Sequence, residues 1–353
     1  MKVELRRLTV PSPRAENARM HWPERQSLLV RITDAQGRAG VGEASPLPDY
    51  SPDRLDDVEQ ALAQVEADVL ERRLAGDALP ALLDAVGQLV PPSLPSARMA
   101  LETAALDYLG QRERRSAPAL LGAAPDAERP LAELVGSPLR DTFAAACEDA
   151  LKAGFRQLKV KLGAPRQLEA ELASLLAVTR QLGKAVSFRA DANRTWDAQQ
   201  VERAWTLLEP LELELLEEPG VLPAHLLGQL PLALDESLQS LDVAAAVEQL
   251  RTSQARFAVL KPMALGGLAH CWQLAERAQA AGIQPLLSHC FDGPVALRAA
   301  AALALALPTA VAHGLAPHAG LSGYPSPEPP VERGWLKTWS EPGLGLRAGS
   351  AFE

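Results

Sequence analysis

Three short runs decide the fold: VSFRADAN at residues 186–193, ELELLEEP at 212–219 and LALDES at 232–237. Each is a few apolar residues, the length of a strand, that stops abruptly at acid: Asp191, Glu217 with Glu218, and Asp235 with Glu236. The neighbouring runs on either side end in lysine. QLKVK at 157–161 carries Lys159 and Lys161, and FAVLK at 257–261 ends in Lys261. Extending the pattern gives eight runs, at 131–135, 157–162, 186–190, 212–216, 232–234, 257–260, 284–287 and 310–312. Helical stretches rich in Ala, Leu, Glu and Gln separate them. Eight such units predict an α/β fold, a TIM-like (β/α) barrel. An open doubly wound sheet is the competing architecture, but no Gly-rich phosphate turn follows the first run.

The chain before the barrel has another texture. Residues 3–10 and 28–34 alternate like strands, and the second turns at 35–37 into 39–43. Ser51-Pro52-Asp53 predicts a helix start with Ser51 as N-cap. Residues 96–112 place Met99, Ala100, Thr103, Leu106 and Leu109 at helical spacing, which predicts an amphipathic helix. The expected division is an N-terminal α+β capping domain at 1–97 and a barrel at 98–324. A Pro-rich tail, 325–353, is expected to return to the capping domain.

Composition narrows the function. With 353 residues there is room for a barrel of roughly 200–250 residues plus a second domain. A net charge of −9, with no basic run, argues against nucleic acid as a partner. Cys147, Cys271 and Cys290 are scattered and odd in number, which suits a reducing cytosol rather than a disulfide framework. The N-terminus lacks the apolar core of a signal peptide, and the apolar run 296–307 contains Arg298 and ends at Pro308, too short for a bilayer. These readings predict a cytoplasmic protein with no membrane partner. A monomer and a homo-oligomer are both compatible with the fold.

In such barrels the chemistry sits at the C-terminal ends of strands. Five consecutive runs ending in Lys, Asp, Glu, Asp and Lys would converge at one mouth. Three clustered carboxylates cannot all stay ionised without a cation. Hard oxygen ligands favour Mg2+, with Mn2+ making similar demands, and no His or Cys set argues for zinc. Lys161 and Lys261 would flank the cation, and neighbouring positive charge, including Lys159, would push a lysine down towards use as a base. The chemistry this predicts is proton abstraction α to a carboxylate on a small-molecule substrate.

These residues resemble the enolase superfamily and its muconate-lactonizing subgroup. The match is carried, in order, by Lys159–Lys161, Asp191-Ala192-Asn193, Glu217-Glu218-Pro219, Leu234-Asp235-Glu236-Ser237 and Leu260-Lys261-Pro262. The resemblance implies metal ligation by Asp191, Glu217 and Asp235, with Asn193, Glu218 and Glu236 hydrogen-bonded around them. Within the subgroup, Gly42-Glu43-Ala44-Ser45-Pro46-Leu47-Pro48, Tyr50-Ser51, Arg189 and Ala312-His313-Gly314-Leu315 resemble the o-succinylbenzoate synthases. That implies dehydration of a cyclohexadiene precursor in menaquinone biosynthesis. Lys161 would be the base, Lys261 a stabilising cation, and Arg189, Ser288, Gly293 and Ser45 substrate contacts. Three other readings compete. A racemase of N-succinylamino acids or a dipeptide epimerase needs the same lysines, although 313–317 lacks the acids that grip a dipeptide amine. An acid-sugar dehydratase would use His289. A barrel that only binds would be expected to have lost an acid or a lysine, and none is missing. A loop containing Arg19 and His21 is expected to cover the substrate.

Overall fold

The computed structural model describes residues 1–16, 20–75, 79–164, 166–324 and 326–346. Three antiparallel strands, β1 (Lys2–Glu16), β2 (His21–Thr33) and β3 (Ala39–Ala44), form the N-terminal sheet in the order β1-β2-β3. Both long strands outrun their sequence signal, because β1 and β2 keep pairing past an irregularity between Pro11 and Ala15. Arg19 lies outside the described residues. His21 opens β2 and is exposed.

The expected helix start at Ser51 is not used. The helix runs Leu55–Ala63 behind Arg54, and the Ser51 hydroxyl instead accepts from the Leu47 amide at 2.8 Å. Asp53 is spent elsewhere: its carboxylate takes the Ser96 amide at 2.8 Å and so caps the helix Pro95–Glu113. That helix is not amphipathic as expected. Residues 95–110 are buried all round except Arg98, because the sheet packs on one side and the barrel on the other. Close approach to the sheet depends on Gly40 and Gly42, where an added Cβ would overlap the carbonyls of Ala104 and Ala100.

After β4 (Glu128–Pro130) come seven parallel strands in chain order: β5 (Ala132–Gly136), β6 (Gln157–Lys161), β7 (Ser187–Asp191), β8 (Leu215–Glu217), β9 (Leu232–Leu234), β10 (Phe257–Leu260) and β11 (Gln284–Leu287). The eighth position is no strand. The run 310–312 is followed by His313 and Gly314, which bridge in parallel to Leu131 and Ser288 and so link the two edges. Leu215, Ala233, Val259 and Leu286 fill the barrel interior, and the larger core lies between strands and helices. In the tail, β12 (Val331–Glu332) and β13 (Trp335–Lys337) form a sheet with β4. Residues 343–344 then dock on Pro95–Glu113, where Asp107 accepts the Leu344 amide at 2.8 Å. Among the described residues no helix is long and apolar enough to cross a membrane.

Two acids on the buried helix make stability pH-dependent. Burial raises Glu102 to about 8 and Asp107 to about 6. An acid that holds its proton more tightly when folded contributes most below its unfolded pKa and loses that contribution as pH rises. For Glu102 the window runs from its unfolded value of 4.5 to about 8. Glu102→Gln keeps an acceptor for the Ala269 amide, 2.9 Å away. The variant should therefore gain on the wild type, by on the order of 1–3 kcal/mol, between pH 5 and 8. Denaturant melts at three pH values would test this, and parallel curves would refute it.

Candidate active site at the strand ends

The parallel ladder sets Lys159 beside Arg189, Lys161 beside Asp191 and Asp191 beside Glu217. Residues paired this way point to one face, so the alternation of β6 sends Leu158 and Val160 outward and both lysines inward. Lys159 Nζ lies 2.5 Å from Glu217 Oε2 and 2.8 Å from Asp191 Oδ2. Lys161 Nζ lies 2.6 Å from Asp191 Oδ2 and 3.3 Å from Asn193 Oδ1. Across the mouth, Lys261 pairs with Asp235 and donates to the Tyr50 hydroxyl at 2.7 Å, with Nζ 4.7 Å from the Tyr50 ring centre. Tyr50 also donates to Asp235 at 3.1 Å.

The surrounding acids hold this arrangement. Glu218 accepts from the Asp235 and Ser237 amides, each at 2.8 Å, and from the Ser237 hydroxyl. Asn193 donates to Glu236 at 2.9 Å. Burial pushes Asp191 up, but Lys159 and Lys161 outweigh it and hold the carboxyl below its usual range. Glu217 rises to about 7 through burial and the charge of Asp191. Burial would lower Lys159 and Lys261, yet the acids beside them win and raise both. At Lys261 the expectation of a lowered lysine therefore fails, and Lys159, expected only as a neighbouring charge, is itself raised, because carboxylates are the nearer charges.

As placed, no three His, Cys, Asp or Glu side chains among the described residues form a metal cage. The acids are instead drawn to ammonium groups, Glu217 and Asp191 to Lys159, Asp191 also to Lys161, and Asp235 to Lys261. Glu217 Oε1 stays buried without a partner. An orphaned carboxylate oxygen beside two more buried carboxylates is the donor chemistry of a hard divalent cation.

The other expected contacts divide. Ser288 lines the chamber and donates to the Gly314 carbonyl at 3.3 Å. Arg189 lines its floor, but it forks onto Glu214 at 2.7 and 2.9 Å and donates to the Ala312 carbonyl at 2.8 Å, stapling β7 to the eighth position. Ser45 and Gly293 are not among the lining residues. Ser45 gives its carbonyl to Arg25, and Gly293 packs on the buried Glu43 carboxylate. His289 lines the chamber with its ring bonded to the Phe291 amide at 3.0 Å and to the Ala316 backbone, and burial lowers it well below its usual value. The lone pair of Nδ1 is thereby spent on that amide.

Sequence reasoning placed Tyr50 only in a loop and did not foresee its reach to Lys261. Trp22 and His318 also line the chamber. Trp22, Leu47, Leu134, Phe291 and His318 form an apolar and aromatic wall above the lysines. Phe291 centres the rings at 6.3 Å from Trp22, 5.9 Å from His289 and 5.6 Å from His318.

Known proteins share this fold. The chain is 32% identical over 342 residues to the L-Lys-D/L-Arg epimerase of Methylococcus capsulatus, covering 92% of this chain and 91% of the relative. A dipeptide epimerase of that organism, solved with Mg and the dipeptide L-Arg-D-Lys, superimposes with a TM-score of 0.80 at 28% identity and 98% coverage of both chains. The o-succinylbenzoate synthase of Pasteurella multocida is 27% identical over 298 residues, covering 80% of this chain and 78% of the relative. A muconate lactonizing enzyme from Pseudomonas fluorescens, solved with muconolactone, gives a TM-score of 0.86 at 25% identity, covering 98% and 95%. Residues 142–349 match the family described as Enolase C-terminal domain-like. With its lysines and acids at the strand ends of a capped barrel, the chain belongs to the enolase superfamily.

Proposed function

We propose that the protein is an o-succinylbenzoate synthase, a cytoplasmic lyase dehydrating 2-succinyl-6-hydroxy-2,4-cyclohexadiene-1-carboxylate to 2-succinylbenzoate. The observation that carries this reading is the inequality of the two lysines. Lys261 is fixed by Asp235 and by the hydroxyl and ring of Tyr50, whereas Lys161 projects from β6 with bonds, among the described residues, only to Asp191 and Asn193. A racemase needs both lysines to exchange protons with opposite faces of one carbon. A dehydratase needs one base and one stationary cation.

Asp191, Glu217 and Asp235 would hold Mg2+, which when bound supplies positive charge for the substrate carboxylate as its α proton becomes acidic. Lys161 takes that proton, and the electron pair left behind forms the enediolate. The Lys261 ammonium, on the opposite side, lowers the energy of the developing negative charge. Lys161 then returns its proton to the departing hydroxyl, which leaves as water while the ring becomes aromatic. The apolar and aromatic wall suits a flat carbocycle and excludes water. Recognition falls to the capping region, and proton transfer to the barrel.

The identity to a dipeptide epimerase favours a second reading, epimerization of a dipeptide or racemization of an N-succinylamino acid on the same lysines. Purified protein with Mg2+ should dehydrate the cyclohexadienol at least about tenfold faster than it racemizes N-succinylamino acids, a gap of about 1.4 kcal/mol in barrier. Racemization outpacing dehydration would overturn the synthase reading.

A further inference from the structure

One cap residue that the mechanism does not use holds both walls of the chamber. Arg25 on β2 is 1% exposed, and among the described residues its guanidinium donates only to backbone carbonyls. Two belong to the cap loop, Ser45 at 2.5 Å and Pro46 at 3.2 Å. Two belong to the loop after β11, Phe291 at 3.1 Å and Cys290 at 3.3 Å. Leu47 and Tyr50 follow directly on the first pair, and Tyr50 is the residue that grips Lys261. Phe291 in the second has a left-handed backbone, φ 53°, a conformation unfavourable for a bulky side chain unless its surroundings impose it. Its carbonyl bond to Arg25 and its amide bond to His289 impose it.

We infer that Arg25 is the positioning residue that sets the width of the substrate chamber, tying the loop of Leu47 and Tyr50 to the loop of His289 and Phe291. A planar fork with five donors can span four carbonyls, and a lysine ammonium in the same place cannot. The inference rests on the reading of this chamber as the substrate site, though not on which substrate is turned over. Its consequence is a separation of charge from reach. Arg25 also lies near the buried carboxyls of Glu43 and Asp292, which its charge favours. Arg25→Lys keeps that charge and loses the fork, while Arg25→Met loses both.

The test compares both variants with the wild type, with Mg2+, by thermal melting, KM and kcat, and hydrogen–deuterium exchange. Exchange is followed at 45–51 and 288–293, where the Tyr50, Ser51, Ser288 and Phe291 amides are bonded. Arg25→Lys should recover most of the melting temperature lost in Arg25→Met. Its KM should still rise about tenfold with kcat within about threefold, and exchange should quicken together in both segments while β6 to β9 stay protected. Recovery of KM along with stability would reduce Arg25 to a structural role and overturn the inference. Quickening in only one segment, or in neither, would overturn it too. Exchange needs no turnover, so a wild type inactive on the cyclohexadienol would defeat the synthase reading and leave this result standing.

Discussion

Lys161→Ala is expected to cut kcat by roughly 10²–10⁴ without unfolding the protein, the range for removing a positioned general acid–base group. Here one side chain serves twice, as base for the α proton and as acid for the leaving hydroxyl, so the loss should fall at the upper end. Lys261→Ala should cost less, about 10², because its ammonium stabilises charge without carrying a proton. The two variants also separate the competing activities. If the protein is a racemase, both substitutions should abolish racemization, since each blocks one direction of transfer. In a dehydratase the effects are unequal, in the order Lys161 over Lys261. Stopped-flow or steady-state dehydration with each variant measures this, and Lys161→Ala retaining a tenth of the activity would remove it from the base role.

Gly42→Val should destabilise the protein by about 4 kcal/mol or more, among the larger effects a single substitution produces. The obstacle is backbone. A Cβ at Gly42 would overlap the carbonyl of Ala100 and come within 2.8 Å of the Ala104 amide nitrogen. Neither atom can turn aside as a flexible side chain could, so β3 and Pro95–Glu113 must separate. Gly37→Ala is the control: nothing lies within 4 Å of its Cβ, and only its left-handed backbone, φ 79°, opposes the change. That should cost about 1 kcal/mol. Equal midpoints for the two variants in urea would show that the helix does not need this close approach.

The strand ends were legible because their chemistry is written locally. A short apolar run stopping at Asp191, Glu217 or Asp235 needs no tertiary context to be noticed, and runs 232–234, 257–260 and 284–287 coincide with β9, β10 and β11. What stayed hidden depends on partners remote in sequence. Pro95–Glu113 looked amphipathic because Glu102 and Asp107 are polar and lie off the stripe of Met99 to Leu109, but both are buried against backbone amides brought by other segments. The eighth run was expected at 310–312, but the bridges fall just after it, at His313 and Gly314, too short to form a strand. Ser51 sits in a sound N-cap context, yet Asp53 was already committed to Ser96. Ser45 and Gly293 looked like substrate contacts within their motifs, and only packing shows them turned to Arg25 and Glu43. Tyr50 carried no periodic signal at all.

The barrel strands supply the proton-handling groups, while the wall above them comes largely from β2, the cap loop and the loops after β11 and the eighth position. Tyr50 aside, which is bonded to Lys261 and Asp235, wall side chains that touch none of the lysines or acids should respond to substitution almost independently of them. Selection on a duplicated copy could therefore reshape the wall residue by residue, each step tolerated, without passing through a form whose lysines no longer work. A lineage built this way changes its diet more readily than its chemistry. The same separation suggests where an engineer should begin: at Leu47, Leu134 and Phe291, leaving β6 to β10 untouched.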